Sequence, residues 1–249
     1  MNSSGFFNDD QFVADDQQIM AVAQRYNSWL SGLAAPYLGE RVFEIGAGIG
    51  NLSQKLMSNP HVKHLTTIEL ELNCYDEFAS NAVRMASTLG KDLQALQGDF
   101  VHSDLPTECY DTVVCFNVLE HIRDEVRAVQ RSHKLLVPGG FLLLFVPAFN
   151  FVRGAIDDRL GHHRRYSKGS ARELMQRAGF RVRIMRYYNL IGFLGWLLNF
   201  RLLRRRSQSY KQVIFFDRYV FPLQSLLERY TPWQPFGQSL YVVAQKPTE

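Results

Sequence analysis

A chain of 249 residues, 46% of them apolar, is long enough for one large α/β domain, or a domain with an elaboration, around a full core. Its formal charge of +4 is mild and sits in clusters near Arg164 and Arg204, which counts against a general nucleic-acid binder with a broad basic face. Cys74, Cys109 and Cys115 form neither a C-x-x-C pair nor a zinc-type spacing, which implies a reduced, cytoplasmic setting. The stretch from Met1 to Asp16 is polar and acidic, unlike a signal peptide, and is expected to be loosely ordered up to about residue 14. The longest apolar run, Leu190 to Phe200, falls short of the roughly 20 residues a membrane-spanning helix needs.

In chain order, Ile19, Val22, Tyr26, Trp29, Leu30 and Leu33 recur at helical spacing and predict a helix over Asp15 to Tyr37. Strand and helix signals then alternate. Strands are expected at Arg41 to Ile45, His64 to Glu69, Leu93 to Gln97, Asp111 to Phe116 and Phe141 to Val146. Between them, helices follow Gly50 and span Asp76 to Ser87 and Asp124 to Leu136, the last stopped by Pro138-Gly139-Gly140. A helix from Lys168 to Ala178 leads to strand six, Phe180 to Tyr188, and the last strand is Ser239 to Gln245. Repeated β-α units of this kind imply an α/β doubly wound sheet.

Val42 to Ser53 reads VFEIGAGIGNLS. Gly46, Gly48 and Gly50, with Ala47 between the first two, let a strand turn sharply into a helix while the backbone stays close to a ligand. The spacing is G-x-G-x-G, not the G-x-G-x-x-G of dinucleotide sites, and Glu44 sits near the end of the strand. About twenty residues on, Glu69 ends strand two, followed by Leu70 and, as an outside candidate for the same role, Glu71. Asp99 with Phe100 follows strand three, and Phe116-Asn117-Val118-Leu119-Glu120-His121-Ile122 follows strand four. All lie at carboxyl ends of predicted strands, where open α/β sheets bind ligands.

This ordered set resembles the class I S-adenosylmethionine-dependent methyltransferases over roughly residues 20 to 188 and the final strand. The resemblance implies a seven-stranded Rossmann-like sheet with its last strand antiparallel and S-adenosylmethionine as cofactor. It assigns the cofactor to Glu44, Gly46, Ala47, Gly48, Gly50, Glu69, Leu70, Asp99, Phe100 and Asn117, with Glu69 on the ribose hydroxyls and Asp99 on the adenine amino group. It also implies an N-terminal segment closing over the cofactor, where Tyr26 and Trp29 line the acceptor pocket, though an aromatic stripe at this spacing also suits plain core. Some relatives use a divalent metal beside a Glu-His pair like Glu120-His121, but the spacing here reveals no independent ligand set, so no metal is expected.

Asp157 to Ser167, DDRLGHHRRYS, follows strand five and should rim the acceptor side. One or two of Arg159, Arg164 and Arg165 can fork onto an anionic acceptor group, with Tyr166 beside them. His162 or His163 is a candidate general base, oriented by Asp157 or Asp158, and His121 is a third catalytic candidate. The plain alternative is a basic surface loop.

Some fifty residues, Asn189 to Gln238, separate strands six and seven, and they read as a helical cap inserted between them. The expected organisation is therefore residues 1–37 over the cofactor site, a core of 38–188, the cap at 189–238, and a final strand and tail at 239–249. The cap carries Arg204-Arg205-Arg206 and an aromatic-rich helix from Val213 to Tyr230, which Pro232, Pro235 and Gly237 end. Residues 190–206 read three ways: an amphipathic element on a membrane surface, a lid over a lipid-like acceptor, or a dimer interface or simple packing. The function expected is methyl transfer to a small or lipid-like acceptor, with a lean towards oxygen, in a monomer or homodimer. Nucleic-acid methylation is disfavoured because Asn117 is followed by Val118-Leu119 and not by the paired prolines of those families. A peptide carboxylate acceptor and N-methylation stay open. So do a nicotinamide-dependent oxidoreductase, which the glycine spacing opposes, and a non-catalytic partner-binding subunit.

Overall fold

Seven strands form one sheet in the order β3-β2-β1-β4-β5-β7-β6. The computed structural model describes residues 18–198, 210–231 and 234–248; the expected helix start at Asp15, the arginines at 201 and 204–206, and Pro232 lie outside them. The strands are β1 (Arg41–Ile45), β2 (His64–Glu69), β3 (Asp92–Gln97), β4 (Tyr110–Phe116), β5 (Leu136–Pro147), β6 (Arg181–Tyr188) and β7 (Ser239–Gln245). β1 to β5 pair in parallel, while β7 lies antiparallel between β5 and β6. The burial pattern explains the order. β4 and β5 are apolar on both faces and sit centrally, whereas β3 and β6 alternate and lie at the edges.

Helices cover both faces: α1 (Gln24–Ala34), α2 (Asn51–Met57), α3 (Leu72–Leu89), α4 (Glu125–Leu135), a short α5 (Ala155–Arg159) and α6 (Lys168–Arg177). The α1 face packs Leu30, Ala34, Leu56, Val114 and Phe145; the opposite face packs Phe43, Val113, Leu142, Leu174 and Met175. Several boundaries differ from the sequence expectation. The first helix breaks at residues 22–23 and resumes as α1. Helix α3 starts at Leu72, four residues before the expected Asp76, because no breaker separates it from strand two. Pro138-Gly139-Gly140 does not divide α4 from β5. The chain is already extended at Leu136, which pairs with Tyr110, and the glycines form an irregularity within β5. A side chain at Gly140 would meet the Asp111 carbonyl oxygen at 3.0 Å.

Between β6 and β7 stand α7 (Leu190–Trp196), α8 (Tyr210–Phe215), one wider helical turn (Phe216–Val220) and α9 (Phe221–Tyr230). The single helix expected over Val213 to Tyr230 is thus interrupted. The wide turn brings Asp217 against the start of α1, where its carboxylate accepts from the backbone N–H of Tyr26 at 2.9 Å and of Arg25 at 3.2 Å. Helix α1 has no side-chain cap of its own, so these are otherwise orphaned donors. At the other end, Asn189 and Gln238 bond to each other through side chains (2.9 Å) and backbone (3.0 Å), closing the insertion on itself. Replacing Asp217 by Ala should remove a helix cap and lower stability by about 1–2 kcal/mol, seen as a fall of several degrees in Tm; an unchanged Tm would show that water caps α1 equally well.

Candidate active site

A cavity of about 970 Å³ opens at the carboxyl ends of β1, β2, β3 and β4 and is walled on its far side by residues of the 190–220 insertion. Its floor is the glycine turn. Gly46, Gly48 and Gly50 have φ of +73°, +54° and +90°, and a Cβ at Gly46 would lie 2.3 Å from Val118 Cγ2. Only glycine fits that close approach. The Gly48 N–H donates to Glu69 Oε2 at 2.7 Å, and the Glu71 N–H donates to Oε1 at 3.0 Å, so the acid both braces the turn and faces the cavity. Asp99 also faces it. Burial would raise the Asp99 carboxyl, but His102 (2.7 Å) and the Val101 N–H (2.7 Å) hold it below the usual range.

Gly46, Ala47, Gly48, Glu69, Leu70, Asp99, Phe100 and Asn117 all line the cavity; Glu44 and Gly50 do not. Gly50 caps α2, and its would-be Cβ meets Phe78 at 2.4 Å. Glu44 lies behind the turn, buried, accepting from Ser53 Oγ at 2.5 Å, with its carboxyl pushed up to about 8 by burial. Asn117 is held at φ +55° and bonds to the hydroxyl of Tyr26, which lines the cavity. Trp29 instead packs its ring against Tyr26, Phe145, Tyr188 and Phe221 in the core.

The basic loop divides sharply. His162 and Arg165 line the cavity, whereas Arg159, His163, Arg164 and Tyr166 do not. Arg164 pairs with Glu125 at 3.1 Å, and the Tyr166 hydroxyl bonds to the same carboxylate at 2.6 Å. The centre of the loop is Asp157, fully buried. Its carboxylate takes His162 Nδ1 at 2.9 Å, Arg165 Nε at 2.7 Å and the Gly154 N–H at 2.9 Å. Burial opposes that charge, but the bonds from His162 and Arg165 prevail and keep the carboxyl below its ordinary value. With Nδ1 committed to Asp157, Nε2 is the His162 nitrogen left to take a proton.

His121 stands edge to face with His162, ring centroids 4.8 Å apart, and its pKa is pushed down to about 3 by burial and the neighbouring histidines. Glu120 is buried, its carboxyl pushed up to about 7 by burial, and its Oε2 has no hydrogen-bond partner among the described residues. Glu120, His121 and His162 bring ligand-type atoms within 4.8 Å of one another, a set that could hold a divalent cation and that chain spacing concealed. The sequence predicts a cap, but not that Lys211, Val213, Phe216 and Val220 are its wall residues, because nothing in the linear pattern says that this part of the insertion packs against α1.

A glycine turn that only glycine can make, acids after strands two and three, and this strand order together define the class I fold of the S-adenosylmethionine-dependent methyltransferases. Residues 20–183 match the model of the methyltransferase domain family, and the chain belongs to that family. A ubiquinone biosynthesis O-methyltransferase of Paracidovorax citrulli is 29% identical over 122 residues, 46% of each chain, so the chain spans about half the length of that curated relative. Among solved structures, phosphoethanolamine N-methyltransferase 2 of Haemonchus contortus in complex with S-adenosylmethionine shares the fold at TM-score 0.59, with 17% identity over 88% of this chain and 53% of that one. An S-adenosylmethionine-dependent methyltransferase from Mesorhizobium loti aligns at TM-score 0.58 and 15% identity, over 87% of this chain and 96% of that one.

Glu44 makes a pH dependence that can be measured. Its carboxyl titrates near 8 folded and near 4.5 unfolded, so its stabilising effect is complete below about 4.5 and lost as pH rises towards 8. Glu44→Gln keeps an acceptor for Ser53 and should gain stability over the parent across that window, by at most about 1.4 kcal/mol per pH unit, with little difference near pH 4.5. Parallel denaturation curves at pH 5 and pH 8 check this; a constant difference would refute it.

Proposed function

We propose that this enzyme methylates a hydroxyl on an apolar, lipid-like acceptor, with His162 as general base and Asp157 as its positioning residue. The observation that carries the reading is the Asp157–His162 pair opening on the same cavity as the glycine turn. When bound, S-adenosylmethionine supplies an activated methyl group on a sulfonium, and loss of that methyl leaves a neutral thioether. The residues present suit it: Gly46 and Gly48 bring backbone without side chains to the cavity, and Glu69 keeps acceptor capacity for two ribose hydroxyls. Placing the acceptor beside it and excluding water then supplies much of the rate. As the new carbon–oxygen bond forms, the hydroxyl proton passes to His162 Nε2, and Asp157 stabilises the imidazolium.

The acceptor side is walled by Tyr26, Val118, Ile122, Leu160, Ile191 and Phe216, which favours an apolar body. Arg165 spends its guanidinium on Asp157 and the Ala148 carbonyl oxygen (3.3 Å), and Arg164 on Glu125, so in this reading they support the base and leave anion binding aside. The oxygen lean agrees with the name of the Paracidovorax relative, which is a statement about that protein.

A second reading rests on Glu120. With His121 and His162 it could hold a divalent cation that lowers the pKa of the acceptor hydroxyl, and His162 would then be a ligand through the same nitrogen. Dialysis against a chelator separates the two: activity that survives supports the base, and activity restored only by a divalent ion supports the cation.

Titration calorimetry with S-adenosylmethionine and, separately, NADH should give binding of the first alone. Glu69→Ala should weaken that binding by about 1.5–3 kcal/mol, and unchanged affinity would remove Glu69 from the cofactor site. His162→Asn should lower kcat by about 10²-fold or more while the affinity for S-adenosylmethionine holds. An unaltered kcat would show that no proton is taken at this residue.

A further inference from the structure

Beyond the buried Phe221 at its start, helix α9 is inverted. Its polar Gln224 and Glu228 are buried, while Leu223, Leu226, Leu227 and Tyr230, spaced i, i+3, i+4 and i+7, are 56%, 51%, 48% and 74% exposed. The row extends back along the same helical run through Tyr219 and Phe215, 61% and 59% exposed. On α7, Leu190 and Leu194 repeat the pattern at i and i+4, and Leu198 follows beyond its end at i+8. Soluble monomers rarely present so long an apolar row unless something covers it.

The inversion has a structural cause. Glu228 Oε1 accepts from the Asn189 N–H at 2.5 Å and from Gln224 at 3.1 Å, and Gln224 Oε1 accepts from the Ile191 N–H at 3.0 Å. The polar side of α9 thus satisfies the first turn of α7. Asp217, the other acid of the insertion, is likewise buried against the start of α1. Both acids of residues 189–238 are therefore turned inward. Against them the segment carries seven basic residues, Arg201, Arg204–Arg206, Lys211, Arg218 and Arg229. Among the described ones, Lys211, Arg218 and Arg229 are all exposed.

We propose that this face docks on an anionic lipid bilayer surface, with the α9 row dipping into the interface and the exposed Lys211, Arg218 and Arg229 meeting the head groups. Charge decides for a bilayer over a second copy of the chain: the outward face is apolar and basic with its acids buried, so two copies would bring like charges together, whereas an anionic surface complements it. The row also reaches the cavity, because Lys211, Phe215 and Phe216 line it, so the docked face would sit beside the opening. The inference stands on the insertion alone and is read without acceptor or turnover.

The test is co-sedimentation of the full chain with vesicles of phosphatidylcholine and of phosphatidylcholine with 30% phosphatidylglycerol, at low and high salt. The parent should pellet with the anionic vesicles, weakly with the neutral ones, and less at high salt. The double variant Leu223→Ser, Leu227→Ser should lower the bound fraction at least fivefold with S-adenosylmethionine affinity unchanged. Arg218→Glu with Arg229→Glu should do the same through charge. Failure of the parent to pellet would overturn the proposal, as would variants that bind like the parent. So would light scattering that shows a parent dimer dissolved by the leucine changes without vesicle binding, since the row would then be an interface between copies.

Discussion

A carboxylate shut away from water has to be compensated where it sits, and Asp157 sets one side of the cavity by that requirement. Fully buried, it gathers Arg165, His162 and the Gly154 N–H around one group, and each of these partners is thereby fixed in place. Arg165 in turn reaches the Ala148 carbonyl oxygen just beyond β5, and its own N–H is held by Asn150 at 2.8 Å. The loop after β5 is thus pinned to the end of the central strand. It looks like a solvated basic loop in composition, yet its two innermost side chains face the cavity because of one acid.

That arrangement explains what could and could not be read from the chain. The glycine turn, Glu69 and Asp99 were legible because each depends on local chemistry at a strand end: a positive φ, or an acid following an apolar run. The sheet was legible for a similar reason, since Val113 to Phe116 of β4 and Phe141 to Val146 of β5 are unbroken apolar runs. The basic loop was legible only as a set of candidates. Arg164 and Arg165 are adjacent and chemically identical, yet one pairs with Glu125 away from the cavity and the other with Asp157 beside it. Neighbours in an extended segment point to opposite sides, and the sequence does not say which side is the site. The same limit hid Glu120 with His121 and His162, which are brought together by the fold across some forty residues.

The insertion shows a related constraint working over a longer distance. The start of α1 has no side-chain cap of its own, and that of α7 has Asn189 on the Gly192 N–H; Asp217 meets the first, and Glu228 and Gln224 complete the second. Capping across tertiary structure ties the insertion to the element that carries Tyr26 and to the end of β6. Polar side chains on α9 are therefore needed inside, and its leucines are left outside. The exposed apolar row is a consequence of how the insertion is fastened.

Fastening and function meet at the cavity. Tyr26 lies on α1, which Asp217 caps, and its hydroxyl bonds to Asn117 after β4. The wide turn that carries Asp217 also places Phe216 and Val220 in the cavity wall. One turn of helix therefore joins the N-terminal element, the end of β4 and the far wall of the cavity. A change that loosens it would act on all three together, although the residues it joins are nearly two hundred positions apart in the chain.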